Sequence, residues 1–406
     1  MGYYITEMNP SGADAASGKS VAVDDTILAA GLTATAGSKM LHNYKPLFDA
    51  EAVTRLKNAG YKITGKTNVG EFGLDVLGET SMIGPSEIDG GKLTGAAAAL
   101  TFSGAVTGAL NVDLNGAPRR AAALAGVLFV KPTYGTVSRY GIIPCACSGE
   151  QIGVTAKDTA TASQLLSVIS GHDDKDGTSL PQEKYMYRAG DNVRGLRFGI
   201  PKEYLEKAAP DVCQSVLAFG RLMADSGAEA EEFSFPEIPL AQTAWQILMA
   251  AETCNNLSRY DGVKFGYRTD HFQNLEELYT KSRTESFSLL TKAVILYGSD
   301  VLSKGRYEEC YDKCLRIRRV LCNKLSEVYK TYDYIIAPAC SKSTYRAEAL
   351  GDSLDAVFEE SFFTALASIT GIPAMSAGGV QLMAGSHMEP LLLTAAACYE
   401  RAVEEQ

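Results

Sequence analysis

GKLTGAAAALTFSGAVTGALNVDLNGAPRRAAALAGVLFVKPTYG, residues 91–135, is the stretch from which the rest of the chain can be read. Between Leu93 and Ala117 it is almost free of titratable side chains, dense in Ala and Gly, and bracketed by two short turns, Leu93-Thr94-Gly95 and Asn115-Gly116-Ala117-Pro118. Side chains this small let backbone pack closely on backbone, and glycine-rich turns aim bare N–H groups at a developing negative charge. The stretch has the frame of a nucleophile-bearing turn without a nucleophile in it. Its small residues predict a tightly packed buried helix over Ala96 to Leu110, and Leu124 to Val130 predicts a helix end passing into a strand.

Toward the N-terminus, Ser20 to Val23 predicts a short strand ending at Asp24-Asp25. Ala50, Val53, Leu56 and Ala59 recur at helical spacing, Gly60 stops that helix, Tyr61 to Thr64 alternates as a strand, and Gly65-Lys66-Thr67-Asn68 reads as the turn that follows. Toward the C-terminus, helices are expected over Asp158 to Ser170, Asp211 to Gly227, Tyr307 to Val328 and Pro390 to Val403, and strands over Gly195 to Pro201 and Tyr334 to Ala337. Strands and helices alternate, which predicts an α/β fold: a large mixed β-sheet flanked by helices on both faces. Residues 1–18 are turn-rich and read as an extended N-terminal arm, residues 19–406 as a single domain, with the polar stretch 172–194 the only candidate internal boundary.

Composition narrows the function classes. A net charge of −10 and a pI near 5.1 disfavour broad contact with a phosphate backbone, and the basic cluster Arg316, Arg318 and Arg319 reads as a solvated helix face. No apolar run reaches the length of a membrane span, and no secretory or transit presequence is legible in the residues given. The nine cysteines are scattered without paired spacing, several inside apolar helical patterns, so they read as small hydrophobes in a reducing compartment; Cys310 and Cys314 share a helix face as packing residues. With four dispersed histidines, neither a metal nor a cofactor is expected.

Several segments resemble the amidase signature family, and within it the tRNA-amidotransferase branch: GKTNVGEFG at 65–73, KPTYGTVSRYGII at 131–143, QIGV at 151–154, ISGHDDKDGTSLP at 169–181, GLRFGIPKEY at 195–204 and NLSRYDGVKFGYRTD at 256–270. The resemblance implies the amidase signature fold over residues 20–400, trimmed at both ends relative to the family, and an apolar surface that a partner would cover. It also implies a catalytic Lys at the end of the first strand, a relay Ser on a cis peptide bond, and a nucleophilic Ser at the turn before Pro118. The strand end Ala22-Val23-Asp24-Asp25 holds Asp24 where the resemblance implies the Lys, and counting back without a gap from KPTYG the two serine positions hold Leu93 and Ala117, 24 residues apart as the family's serines are.

The resemblance places Thr94, Asn115, Gly116, Arg119, Gln151, Tyr267 and Ser361 around the same cleft. Arg119 and Arg120 could bind an anion there, although Arg119 reads better as a brace of the turn. From this the expectation is a catalytically inactive amidase-like protein, a pseudoenzyme. It would serve as a structural or interaction subunit bound to other proteins of a multi-protein, mitochondrial assembly, with a cytoplasmic location as the alternative. Two other readings stand beside it: a subunit of a glutamyl-tRNA amidotransferase-type complex with a regulatory or residual amidase role, and an amidase rebuilt from Lys92, Thr94, Ser103, Cys145 or Cys147 with Asp24 as acid or base.

Overall fold

The computed structural model describes residues 2–8, 19–88, 92–344 and 354–405, with the side chains of residues 92–94 outside that description. Eleven strands make one mixed sheet: β1 (Tyr4–Glu7), β2 (Ser20–Asp24), β3 (Lys62–Thr67), β6 (Gly108–Asp113), β7 (Leu128–Lys131), β8 (Gln151–Ala156), β9 (Arg197–Pro201), β10 (Glu229–Phe233), β11 (Tyr334–Ala337), β12 (Ala374–Ala377) and β13 (Val380–Ala384). Their order across the sheet is β1-β3-β2-β6-β8-β7-β12-β13-β11-β9-β10, while β4 (Ser86–Ile88) and β5 (Lys92–Thr94) form a separate antiparallel pair. The central strands β2, β6, β7, β8, β12 and β13 are buried at every residue. A strand buried on both faces needs cover on both, and two large apolar clusters lie against the sheet. The α/β fold with helices on both faces is thus the observed one.

Side-chain size decides how the helices seat. Helix α1 (Glu51–Asn58) buries Ala52, Val53 and Leu56, as their helical spacing requires. In β2, Val21 and Val23 belong to one large cluster, whereas Ala22 packs in a small one with Ala97, Leu100, Val106 and Ala109. Alternation along the strand sends these residues to opposite faces, and the alanine face lets helix α2 (Ala96–Phe102) approach the sheet closely. The predicted helix over Ala96 to Leu110 is therefore split: α2 stops at Phe102, Gly104 turns the chain at φ +73°, and β6 begins at Gly108. Gly108 itself admits no larger residue, because a Cβ there would stand 2.7 Å from the Thr155 carbonyl oxygen.

Two further expectations are corrected. Gly65 to Thr67 is not a turn but the end of β3, paired with β2 and β1. Within the extended arm expected over residues 1–18, Tyr4–Glu7 is a strand at the sheet edge, and residues 9–18 lie outside the described residues. The helix expected from Tyr307 begins as a π-helical turn, Tyr307–Asp312, before an α-helix over Lys313–Val328. A helix over Ile238–Leu257, unforeseen in the sequence, carries Trp245 into the core.

At the end of β7 the ammonium of Lys131 is fully enclosed and donates to the Ile372 carbonyl at 2.7 Å. Burial lowers its pKa to about 7, opposed by the charge of Asp113. The unfolded chain holds this proton up to about pH 10.4. Between about pH 7 and 10 the unfolded state therefore binds more protons, and the Lys131 contribution makes stability rise with pH by at most about 1.4 kcal/mol per unit. Thermal unfolding followed across that range is expected to show a flatter pH slope in Lys131→Met than in the wild type.

Candidate functional site

β3, β2 and β6 run parallel, and Asp24, Asn68 and Asp113 mark their carboxyl ends. In open α/β sheets this is the edge outside which ligands bind. A cleft of about 60 Å³ opens there, lined among others by Asp24, Asn68, Asp75, Asn111, Ala117 and Arg120. Two of the three positions that the resemblance singled out, Asp24 and Ala117, thus meet at one cleft. Leu93 lies in β5, and the side chains of Leu93, Thr94 and Lys92 fall outside the described ones.

Asp24 is 4% exposed. Its Oδ1 accepts from the Thr26 amide at 2.8 Å and the Thr26 hydroxyl at 2.7 Å, and its Oδ2 accepts from the Val112 amide at 3.2 Å. Burial raises its pKa above the usual carboxylate value, although those hydrogen bonds and the nearby Lys66 oppose the shift. Lys66 is a buried cation that sequence reading missed, because it was assigned to a turn. It sits on β3 beside Val23, fully buried, donates to the Ile27 carbonyl, and stands 4.0 Å from Asp25. Burial pushes the Lys66 ammonium down, so the same desolvation favours the neutral form of both groups. Continuing the alternation of Tyr61 to Thr64 by three residues would have kept Lys66 on the strand.

The turn between β6 and helix α3 (Ala117–Ala125) forms the opposite wall. Gly116 takes φ +91°, a left-handed conformation in which a side chain is strained, and a Cβ there would collide with Thr364. Ala117 and Pro118 follow as the first helical residues, and Gly116 contributes no side-chain cap, so the Ala117 amide has no intrahelical acceptor. Asn115 is spent on structure: its Nδ2 donates to the Leu74 carbonyl at 3.1 Å and its Oδ1 accepts from Trp245 at 3.2 Å.

Arg119 points away from the cleft. Its guanidinium, wholly buried, binds both oxygens of Asp113 at 2.7 and 3.1 Å, the Thr364 carbonyl at 2.9 Å, Gln381 Oε1 at 2.6 Å and the Ser368 hydroxyl at 2.8 Å. It braces the turn and is not available to an anion. Arg120 does line the cleft, with Glu360 at 3.6 Å from its Nε. Gln151 is buried at the start of β8, paired with Asp113, and its side-chain amide has no hydrogen-bond partner among the described residues.

The structure does not bring the remaining expected residues to the cleft. Ser361 is buried and donates to the Phe358 carbonyl at 2.7 Å. Tyr267 donates to Glu285 at 2.6 Å beneath the Lys39 ammonium, in another part of the molecule. Cys145 and Cys147 lie near Thr253 and Asn256, with their thiols pushed up by burial, and neither lines the cleft. Ser103 caps the end of α2. Among the described residues no group of three or more His, Cys, Asp or Glu could hold a metal ion.

The amidase family profile matches residues 14–390, and the chain belongs to that family. Within it the chain is similar to the A subunit of glutamyl-tRNA(Gln) amidotransferase: 38% identical over 366 residues to the protein of Halothermothrix orenii, covering 88% of this chain and 76% of that one. The Streptococcus pneumoniae protein is 35% identical over 403 residues, 95% and 82% of the two chains. The crystal structure of the same amidotransferase component from Thermotoga maritima superposes with a TM-score of 0.78 at 28% identity, covering 95% of this chain and 83% of that one. A 6-aminohexanoate cyclic dimer hydrolase shares the fold at a TM-score of 0.81 and 20% identity.

These likenesses correct the expectation of a catalytically inactive pseudo-amidase, and with it the reading that the chain is not an enzyme. Relatives at this identity across nearly the whole chain are named as amidotransferase subunits, which favours the alternative reading. The physical reason for the error is that counted positions report which side chains are absent. They do not report what a cleft contains, and this one is lined by Asp24, Asp75 and Arg120.

Removing the Arg119 guanidinium leaves Asp113 buried without its counter-charge. Arg119→Met is expected to destabilise the fold by about 3–5 kcal/mol, measured by denaturant unfolding, with part of the loss recovered in the Arg119→Met, Asp113→Asn pair.

Proposed function

We propose that this chain is the A-type subunit of a glutamyl-tRNA amidotransferase-type complex and that the cleft at Asp24 receives the amide of its substrate. The observation that carries the reading is a buried carboxylate of raised pKa on the same cleft as the N-terminus of α3. The extent of similarity to named A subunits supports the assembly. We take Asp24, Leu93 and Ala117 as the positions where the family's lysine and two serines stand, so acid–base work falls to Asp24 and the attacking nucleophile is water.

In this scheme the Asp24 carboxylate accepts a proton from a water whose oxygen bonds to the amide carbon. The Ala117 amide at the helix terminus offers a hydrogen bond to the carbonyl oxygen as negative charge grows there. The proton then passes to the leaving nitrogen, the C–N bond breaks, and a carboxylic acid and ammonia result. Burial raises the Asp24 pKa above the usual carboxylate value, which makes the carboxylate a better proton acceptor in the first step.

The partners in this reading are the other protein subunits of the complex. The compartment expected from the resemblance is the mitochondrion, with the cytoplasm as the alternative. Residues 19–406 act as a single domain.

The test is glutamine hydrolysis by the chain co-expressed with the remaining subunits of a bacterial amidotransferase. Copurification and release of ammonia are expected, with Asp24→Asn reducing the rate by about 10²–10⁴-fold while leaving the complex assembled. Undiminished turnover in Asp24→Asn would remove Asp24 from the chemistry, and failure to copurify would remove the chain from the complex.

A further inference from the structure

A second concavity lies apart from the cleft and shares no lining residue with it. Its volume, about 670 Å³, falls within the range of about 300–1,000 Å³ typical of small-molecule sites. The segment Met40–Lys45, the turn Ile142–Pro144 and the segment Arg259–Gly266 enclose it. Leu28, Leu41, Ile142 and Ile143 are buried beneath it, so its floor is aliphatic. Tyr44 and Phe265 stand exposed at its edge, and Tyr260 packs edge-on against Phe265 at 5.7 Å.

Charge at this site runs against the rest of the molecule. The chain carries a net charge of −10, yet no Asp or Glu lines the concavity, whereas Lys45 and Arg259 do. Arg259 is held in place without neutralisation: its Nε donates to the Asn256 carbonyl and its Nη2 to Asn256 Oδ1, both at 2.8 Å, and neither acceptor is ionised. Lys45 has no ion pair with any described residue. Two exposed cations beside an aliphatic floor match a ligand with an apolar body and an anionic head. The size favours a small molecule over an extended peptide, which would need a longer groove.

We propose that this concavity binds an amphipathic anion. Its aromatic or branched aliphatic body rests on Leu28, Leu41, Ile142 and Ile143, and its carboxylate, sulfonate or phosphate head pairs with Lys45 and Arg259. The site does not depend on the amide chemistry assigned to the cleft, and its occupancy is independent of Asp24.

The probe is 1-anilinonaphthalene-8-sulfonate, an aromatic body with one anionic head, titrated by fluorescence into the full chain beside its neutral analogue N-phenyl-1-naphthylamine. Saturable binding of the sulfonate at one site is expected. Lys45→Glu and Arg259→Glu should each weaken it about tenfold and leave the neutral analogue nearly unchanged. Phe265→Ala should weaken both probes, and unchanged thermal unfolding of the three variants excludes misfolding as the cause. Equal sulfonate affinity in the wild type and both charge-reversal variants, or no saturable binding by the wild type, would overturn the proposal. Asp24→Asn should bind the sulfonate as the wild type does, which keeps this outcome separate from that of the cleft.

Discussion

The pairing of Arg119 with Asp113 holds the rest of the site in place. A guanidinium and a carboxylate taken out of water together cost several kcal/mol unless nearly every donor and acceptor finds a partner. Here the partners come from four places: the end of β6, the Thr364 carbonyl, Ser368 on the helix Ala365–Thr370, and Gln381 on β13. The Ser376 hydroxyl on β12 adds a bond to the Arg119 carbonyl at 2.7 Å. One side chain in the first third of the chain is therefore satisfied only when segments some 250 residues further on have docked. That demand fixes the turn at Gly116 and sets where α3 begins.

What the pairing positions is a wall of small residues facing a carboxylate. The alanine face of β2 and β6 draws α2 onto the sheet, and the turn at Gly116 brings Ala117 to the same edge as Asp24. Among the described residues, the charged groups that line the cleft are Asp24, Asp75 and Arg120. Asp24 and Lys66 lie on neighbouring parallel strands, and desolvation drives both toward neutrality.

The legible parts of this protein were those governed by local pattern. The strand at Ser20–Asp24, the helix capped by Asp158, the strand at Tyr334–Ala337 and the final helix all stand where periodicity and stop signals placed them. The brace at Arg119 was legible too, since an Arg directly after a Gly-Ala-Pro turn has carbonyls and carboxylates within reach. The helix Ile238–Leu257 was not, because it is buried around much of its circumference and so presents no single apolar stripe. Tyr267 was misplaced because the segment that carries it follows Met40 and Glu285, a contact no spacing rule encodes.

Chemistry was harder to read than fold for a related reason. The three positions matched to the family described what side chains its site would lack here, and the inactive function inferred from them did not hold against the named relatives. Residue order alone determined the alternation of strands and helices, the all-buried central strands and the Gly/Ala frame, since each follows from side-chain size and period over a few neighbours. Only the tertiary structure decided that Lys66 is buried near Asp25, which distant groups satisfy Arg119, and that Lys45 and Arg259 share a concavity lined by no Asp or Glu among the described residues. These depend on which distant segments are pressed together, and burial then changes the protonation and pairing of groups whose identity was known all along.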